Sequence, residues 1–308
     1  MNDKVSIIIT TYGGKECIKQ AVESCLNQTY KNIEIIVVDD SGKETEGQRI
    51  TEKILRPYIT LNKILYIAHD KNKNASAARN TGFYHSTGKF IALLDDDDQF
   101  THEKIERQVR KLQNLPEEYG VVYCSMEDIV DNQVYEYQAI SKGDVLYKFL
   151  MMKVAACTSN IMIRRSVYEK VKGFDESFAR HQDWEFLARV ASVSKFYGID
   201  YVGTIKKTKN IVKRYSATQA EVFRLHYIEL IKTPLIQLNQ EQKKKVLSHE
   251  YNELAKLFIR EKNFKKAMNY IILSKRPEQF LKDFILKPIH IYKQRIALQK
   301  TGKVVYKR

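Results

Sequence analysis

Residues 90–100 read FIALLDDDDQF, five mostly apolar residues running straight into four aspartates, Asp95 to Asp98. Adjacent carboxylates repel unless a cation neutralises them. Hard cations such as Mg²⁺ or Mn²⁺ take oxygen ligands, and Mg²⁺ typically uses one or two carboxylates together with substrate phosphates. A second acidic pair, Asp39 and Asp40, closes the apolar run IEIIVVDDS at 33–41, and TTY closes VSIIITTY at 5–12. Turn or helix-cap roles are the ordinary alternative for Asp39 and Asp40 taken singly. A further acid, Asp183, stands in HQDWEF at 181–186, beside the only tryptophan. The chain has neither a GxGxxG after its first strand nor a GxxxxGKS loop, which argues against a nicotinamide cofactor and P-loop chemistry. A metal ion can hold phosphates in place of such loops.

The elements that must position these residues follow from periodicity. VSIIITTY is a buried-strand run, and after Gly13-Gly14 the residues Ile18, Ala21, Val22, Cys25 and Leu26 form one helical face. The second strand is 33–41, a helix over about 46–56 is expected to stop before Pro57, and KILYIAH (63–69) is the third strand. A helix near 75–86 precedes the strand that ends in the aspartates. Strands and helices thus alternate four times, the pattern of an α/β fold with a mainly parallel central sheet between helical layers. Ligands of such sheets bind outside the carboxyl ends of the strands, where TTY, DDS and DDDD all fall. Around Asp183, the residues Trp184, Leu187, Ala188 and Ala191 share a helix face.

In order and spacing, VSIIITTYGG, NQTYKNIEIIVVDDSG, NASAARNTGFYHSTGKFIALLDDDD and GFDESFARHQDWEFLARV resemble the family-2 glycosyltransferases. These are inverting enzymes of the GT-A fold that use nucleotide-activated sugars. The resemblance spans roughly residues 4–200. It implies a nucleotide-sugar donor, with UDP the usual nucleotide, and a divalent metal ion, Mn²⁺ or Mg²⁺. Carried onto this sequence, it implies donor contacts at Thr10, Tyr12, Asp40 (against the base), Arg79 (near the pyrophosphate, with an ion pair to a strand-end aspartate as the alternative), Asp95 and Asp96. Asp97 takes the metal. Asp96 stands where the family pattern is variable, so the register is open by one residue, and Asp98 lies near the metal or the acceptor. Asp183 is implied as the general base that takes the proton of the acceptor hydroxyl, with Glu185 the weaker alternative. His181 is a minor candidate for a metal or acceptor contact. Asn160 and Arg164 are candidate acceptor contacts for which structural roles are the stronger expectation. The implied acceptor is a saccharide, lipid-linked in bacterial surface-polysaccharide assembly. A nucleotidyltransferase on a related fold and a non-catalytic adaptor working through its tail are the alternatives.

The net charge of +15 is unevenly placed. Residues 206–308 hold 25 Lys/Arg against 8 Asp/Glu, whereas residues 1–205 hold 27 against 29. We therefore expect a glycosyltransferase domain over 1–205, nucleotide-binding to about 98 and acceptor-side beyond, followed by a basic helical region over 206–308. Tyr251, Leu254, Ala255 and Phe258, then Phe264, Ala267, Met268, Ile271 and Ile272, predict a helical hairpin resembling one tetratricopeptide-like repeat. The stretch 280–296 sets Phe280, Phe284, Ile285, Ile289 and Tyr292 among lysines and arginines, a pattern that suits an anionic membrane surface or, alternatively, a helix docked on the body with its lysines in water. No nucleic-acid-binding motif accompanies this basicity. Cys17, Cys25, Cys124 and Cys157 lack metal-site spacing and read as free thiols. No apolar run approaches the about 18 residues of a spanning helix. The expected location is cytoplasmic, peripheral at the inner face of the cell membrane.

Overall fold

Ile7 and Ile9 of the first strand face one layer of helices and Ile8 faces the other, so the strand is buried on both sides. In the computed structural model, which describes residues 3–178, 181–208, 216–282 and 303–307, this alternation organises the sheet. β1 (Val5–Thr11), α1 (Ile18–Leu26), β2 (Ile33–Asp39), α2 (Glu46–Thr60), β3 (Leu65–Ala68), α3 (Ala75–Tyr84) and β4 (Phe90–Asp95) form the first half. Its four strands are parallel in the order β3-β2-β1-β4. Ser6, buried within this run, donates to Glu34 Oε1 at 2.5 Å and accepts from the Gly88 N–H at 2.8 Å, so its hydroxyl is satisfied.

The second half begins with β5 (Asp98–Phe100), α4 (Lys104–Gln113), β6 (Tyr119–Val130), β7 (Gln133–Gln138), β8 (Lys142–Gly143) and α5 (Leu146–Leu150). It continues with β9 (Ile161–Arg164), α6 (Arg165–Lys170), α7 (Gln182–Val193) and β10 (Lys195–Thr208). β9 runs antiparallel between β4 and β6, joining the two halves, and β10 lies parallel to β6 and antiparallel to β5. The helices α8 (Ala217–Leu230), α9 (Lys232–Ile236), α10 (Gln240–Arg260) and α11 (Phe264–Leu273) follow. The expected hairpin is α10 packed on α11, with Leu254, Ala255, Phe258, Ala267 and Phe280 in its own small core.

Three expectations change. α2 continues through Pro57 to Thr60. Pro57 and Lys53, whose carbonyl loses its helical donor, are both exposed, so water can take that carbonyl. The boundary at 205 falls inside β10, because charge composition does not report strand ends. The region after 206 is also not purely helical: β11 (Lys303–Lys307) pairs in parallel with β7 at the sheet edge. Tyr306 stacks on Tyr137 with ring centroids 4.9 Å apart, and Lys303 bridges Glu127 at 2.7 Å and Glu136 at 2.5 Å. Tyr306→Ala is expected to lower stability by about 1 kcal/mol, read from the urea midpoint, with nucleotide binding unchanged. Most of the basic amphipathic stretch 280–296 lies outside the described residues. Its first aromatic, Phe280, is buried against the hairpin. Among the described residues no helix is long and apolar enough to cross a membrane. All four cysteines are free thiols.

Candidate active site

The carboxyl ends of β1, β2 and β4 open onto a cleft of about 470 Å³. Thr10, Tyr12, Asp40, Arg79, Asp95, Asp96 and Asp97, distant in sequence, all line it. The turn after β1 is built by Gly13 and Gly14, both at positive φ; a Cβ on Gly14 would lie 2.9 Å from the Gly47 carbonyl oxygen. That turn leaves Tyr12 exposed on the cleft wall, an aromatic face open to stacking.

The four aspartates take four different roles because β4 ends at Asp95, Asp96-Asp97 make a two-residue turn, and β5 starts at Asp98. Asp95 accepts from Arg79 Nη2 at 2.7 Å and Thr158 Oγ1 at 3.3 Å. Burial pushes its carboxyl up, but the charges of Arg79 and Lys206 more than offset this and hold it below the ordinary range. Asp96 accepts from Thr11 Oγ1 at 2.7 Å and Lys15 Nζ at 2.8 Å; burial outweighs these partners and raises it. Asp98 is buried, with Lys206 Nζ 3.2 Å from Oδ1; burial raises it to about 7 against the pull of Lys206, and the Asp95 charge adds to the rise. Asp97 alone of the four is exposed, and no hydrogen bond ties its side chain among the described residues. It is the acid with room for a cation.

Among the described residues no three His, Cys, Asp or Glu side chains form a metal cluster. An ion at Asp97 would therefore draw its other ligands from water and substrate phosphates, as Mg²⁺ commonly does. Arg79 fits a phosphate beside it. Among the described residues its buried Nη1 has no hydrogen-bond partner, while Nη2 is held by Asp95 and the guanidinium lies 5.1 Å from the Phe174 ring centre.

Asp40 behaves differently from a free base-reading carboxylate. Oδ1 holds His69 Nδ1 and the Lys73 N–H, each at 2.7 Å, and Oδ2 holds Asn72 Nδ2 at 3.0 Å and the Asn74 N–H at 2.8 Å. With both oxygens carrying two partners, it clamps the 72–74 loop against β2. A base N–H would reach it by displacing the Asn72 amide, which also lines the cleft.

Asp183 sits one residue into α7, after His181, which takes a left-handed backbone (φ 56) and stacks on Trp184 with ring centres 4.2 Å apart. Gln182 lines the cleft of Asp95, Asp96 and Asp97, whereas Asp183 and Trp184 line a pocket of about 210 Å³ walled by Met126, Phe149, Met152 and Cys157. Burial raises the Asp183 carboxyl; the Asp95 charge adds to this, and Arg79 opposes it. A raised carboxylate is a stronger base. Glu185 is committed elsewhere, in a two-pronged pair with Arg189, which reaches the Val171 and Gly173 carbonyls. Asn160 spends its amide on the Cys124 and Ala155 carbonyls, and Arg164 on those of Tyr119, Leu112 and Leu115. Both are structural.

Lys15, Lys206, Asn72, Asn74 and Gln182 also line the cleft and were not singled out from sequence. Lys206 is the instructive omission: it lies opposite Asp98 in the β10–β5 ladder, a pairing that only the strand register creates.

The profile of Glycosyl transferase family 2 matches residues 6–172, more than half of the chain. The chain belongs to this glycosyltransferase family. An uncharacterized glycosyltransferase of Rickettsia prowazekii is 30% identical over 98% of this chain and 86% of its own length. The amylovoran biosynthesis glycosyltransferase AmsB of Erwinia amylovora is 27% identical over 60% of the chain and 62% of its own. Among solved structures, S. aureus TarS 1-349 in complex with UDP-GlcNAc aligns with a TM-score of 0.60 at 14% identity, covering 90% of this chain and 92% of that one. The mannosyltransferase PcManGT of Pyrobaculum calidifontis, in complex with GDP-Man and Mn²⁺, aligns at 0.58 and 15% identity, covering 88% and 75%. At these identities the structural likeness establishes the GT-A fold of this family-2 member.

Proposed function

We propose that this glycosyltransferase moves a hexose from a UDP-sugar to a hydroxyl of a saccharide acceptor with inversion, Asp183 serving as general base and Asp97 holding a divalent ion. One observation carries the reading: Gln182 and Asp183, consecutive on α7, line the phosphate-side cleft and the adjoining pocket respectively. A carboxylate at that boundary is placed to act on a hydroxyl entering from one side while the donor lies on the other. Tyr12 and Thr10 would form the nucleoside wall, Asp40 would hold the 72–74 loop beneath it, and Arg79 would present its unpaired nitrogen to the diphosphate. When bound, the divalent ion supplies charge neutralisation for the departing diphosphate. Asp183 takes the acceptor proton as the new C–O bond forms, so no protein acid need serve the leaving group.

The solved relatives were captured with UDP-GlcNAc and with GDP-Man plus Mn²⁺, which supports a nucleotide-sugar donor and leaves the base to be tested. The amylovoran name of one relative supports a role in bacterial polysaccharide assembly, where a lipid-linked acceptor would bring the basic C-terminal third to the membrane. A nucleotidyltransferase would leave Asp183 without a task, and an adaptor would need none of these side chains. Incubating the protein with Mn²⁺, UDP- or GDP-sugars and a panel of saccharide acceptors tests the reading. Nucleotide release coupled to a product of inverted anomeric configuration supports it. A product retaining the donor configuration contradicts it.

A further inference from the structure

On the far side of the segment that walls the Asp183 pocket lies a second cavity, of about 440 Å³. Phe149, Met152 and Val154 face the Asp183 pocket, whereas Tyr147, Met151 and Lys153 face this groove, so a single stretch of backbone separates the two. The opposite wall is α10, with Lys245 and His249, and Arg276 comes from beyond α11. Among the described residues no carboxylate lines the groove.

Its floor is polar and short of partners. Ser248 and Asn252 are 2% and 1% exposed, and among the described residues the Asn252 carboxamide oxygen has no hydrogen-bond partner. Among the described residues the amide nitrogen reaches only Ser248 Oγ, at 3.4 Å. An unmet buried amide is destabilising unless a water or ligand satisfies it. Of the cations, Lys153 is exposed and its ammonium has no partner among the described residues. Arg276 pairs with Glu241 at 3.0 Å and Glu278 at 3.4 Å, and Lys245 pairs with Glu241 at 3.4 Å. Those glutamates are more than half exposed, so the pairs are weak and a doubly charged anion can compete for the cations.

We infer that this groove is a binding site for a phosphate ester, with Lys153, Lys245 and Arg276 on the phosphate, Asn252 and Ser248 on its oxygens, and Tyr147 and Met151 against the ester's organic part. The shared wall places such a group beside the Asp183 pocket. Its assignment to the enzyme's own substrate, a phosphate carried by the acceptor, rests on the glycosyltransferase reading; the anion site itself does not. A membrane phospholipid headgroup is the other source of the same chemistry.

The test titrates inorganic phosphate into the full chain, with chelator and at constant ionic strength, following the His249 imidazole resonances by NMR, assigned with His249→Gln. We expect a saturable shift whose midpoint moves at least tenfold higher in Lys153→Ala/Arg276→Ala and is unchanged in Asp97→Ala. That last control separates failure of this site from failure of the donor reading. A linear shift, identical in all variants, overturns the proposal. Sedimentation with phosphatidylglycerol vesicles then identifies the source. Binding lost in the double variant assigns a lipid headgroup. Vesicle binding unaffected by the double variant, with the phosphate midpoint displaced, assigns a soluble or acceptor-borne phosphate.

Discussion

Asp183→Asn is expected to lower turnover by about 10²–10⁴-fold, about 3–5 kcal/mol of transition-state stabilisation, while leaving nucleotide binding within about twofold. The substitution keeps the size of the side chain and the helix start, and it removes only the capacity to accept a proton. Asp183 lines the pocket beside the cleft proposed for the donor and not that cleft itself, so its loss should spare the donor. Glu185 cannot substitute, because its carboxylate is occupied by Arg189. Single-turnover kinetics with saturating donor check this. A fall in donor affinity matching the fall in rate would assign Asp183 to the donor instead, and unchanged turnover would remove it from the chemistry.

Lys104→Met is expected to stabilise the protein by about 2 kcal/mol at pH 7, with the gain shrinking toward zero near pH 10.5. Lys104 is fully buried and, among the described residues, its ammonium has no hydrogen-bond partner; the Phe100 ring centre lies 3.7 Å from Nζ. Burial lowers its pKa from the ordinary 10.5 to about 8. Below about 8 the amine is charged in both the folded and the unfolded chain, so the folded state carries the whole penalty. Between about 8 and 10.5 the folded chain sheds the proton first and stability rises, and above 10.5 the penalty is gone. The shift corresponds to about 3 kcal/mol at 1.36 kcal/mol per unit, from which about 1 kcal/mol is subtracted for the lost cation–ring contact. Urea unfolding of both proteins from pH 6.5 to 10 reads this directly. A Met variant that is less stable across the whole range would mean that the ammonium is paid for by a contact not seen here.

The parts of this architecture legible in sequence are those set by local patterning. The two-sided burial of β1, β2 and β4 and the acids at their ends follow from runs such as VSIII and FIALL, and the helix after Asp183 follows from its spacing. The division of labour among Asp96 to Asp98 was not legible, because the partners of Asp96 and Asp98 lie far along the chain, whereas Arg79 lies only 16 residues before its partner Asp95. Thr11 and Lys15 reach Asp96 from more than 80 residues away, and Lys206 reaches Asp98 across 108. Lys206 also shows why the charge count misplaced the boundary. Counted with a basic tail, it belongs to β10 of the central sheet and pairs with Asp98. Asp40 presents the same limit in another form, since VVDD marks a strand end but not the loop that folds over it and takes up its oxygens.

The measurement that bears most directly on the central claim is calorimetric titration of the protein with UDP, with Mn²⁺ and again with excess chelator, for the native chain and Asp97→Ala. The account predicts binding that requires Mn²⁺ and is weakened at least tenfold in Asp97→Ala, because that exposed acid is the one free to hold the ion. Tight binding of UDP that neither chelator nor Asp97→Ala alters would contradict it.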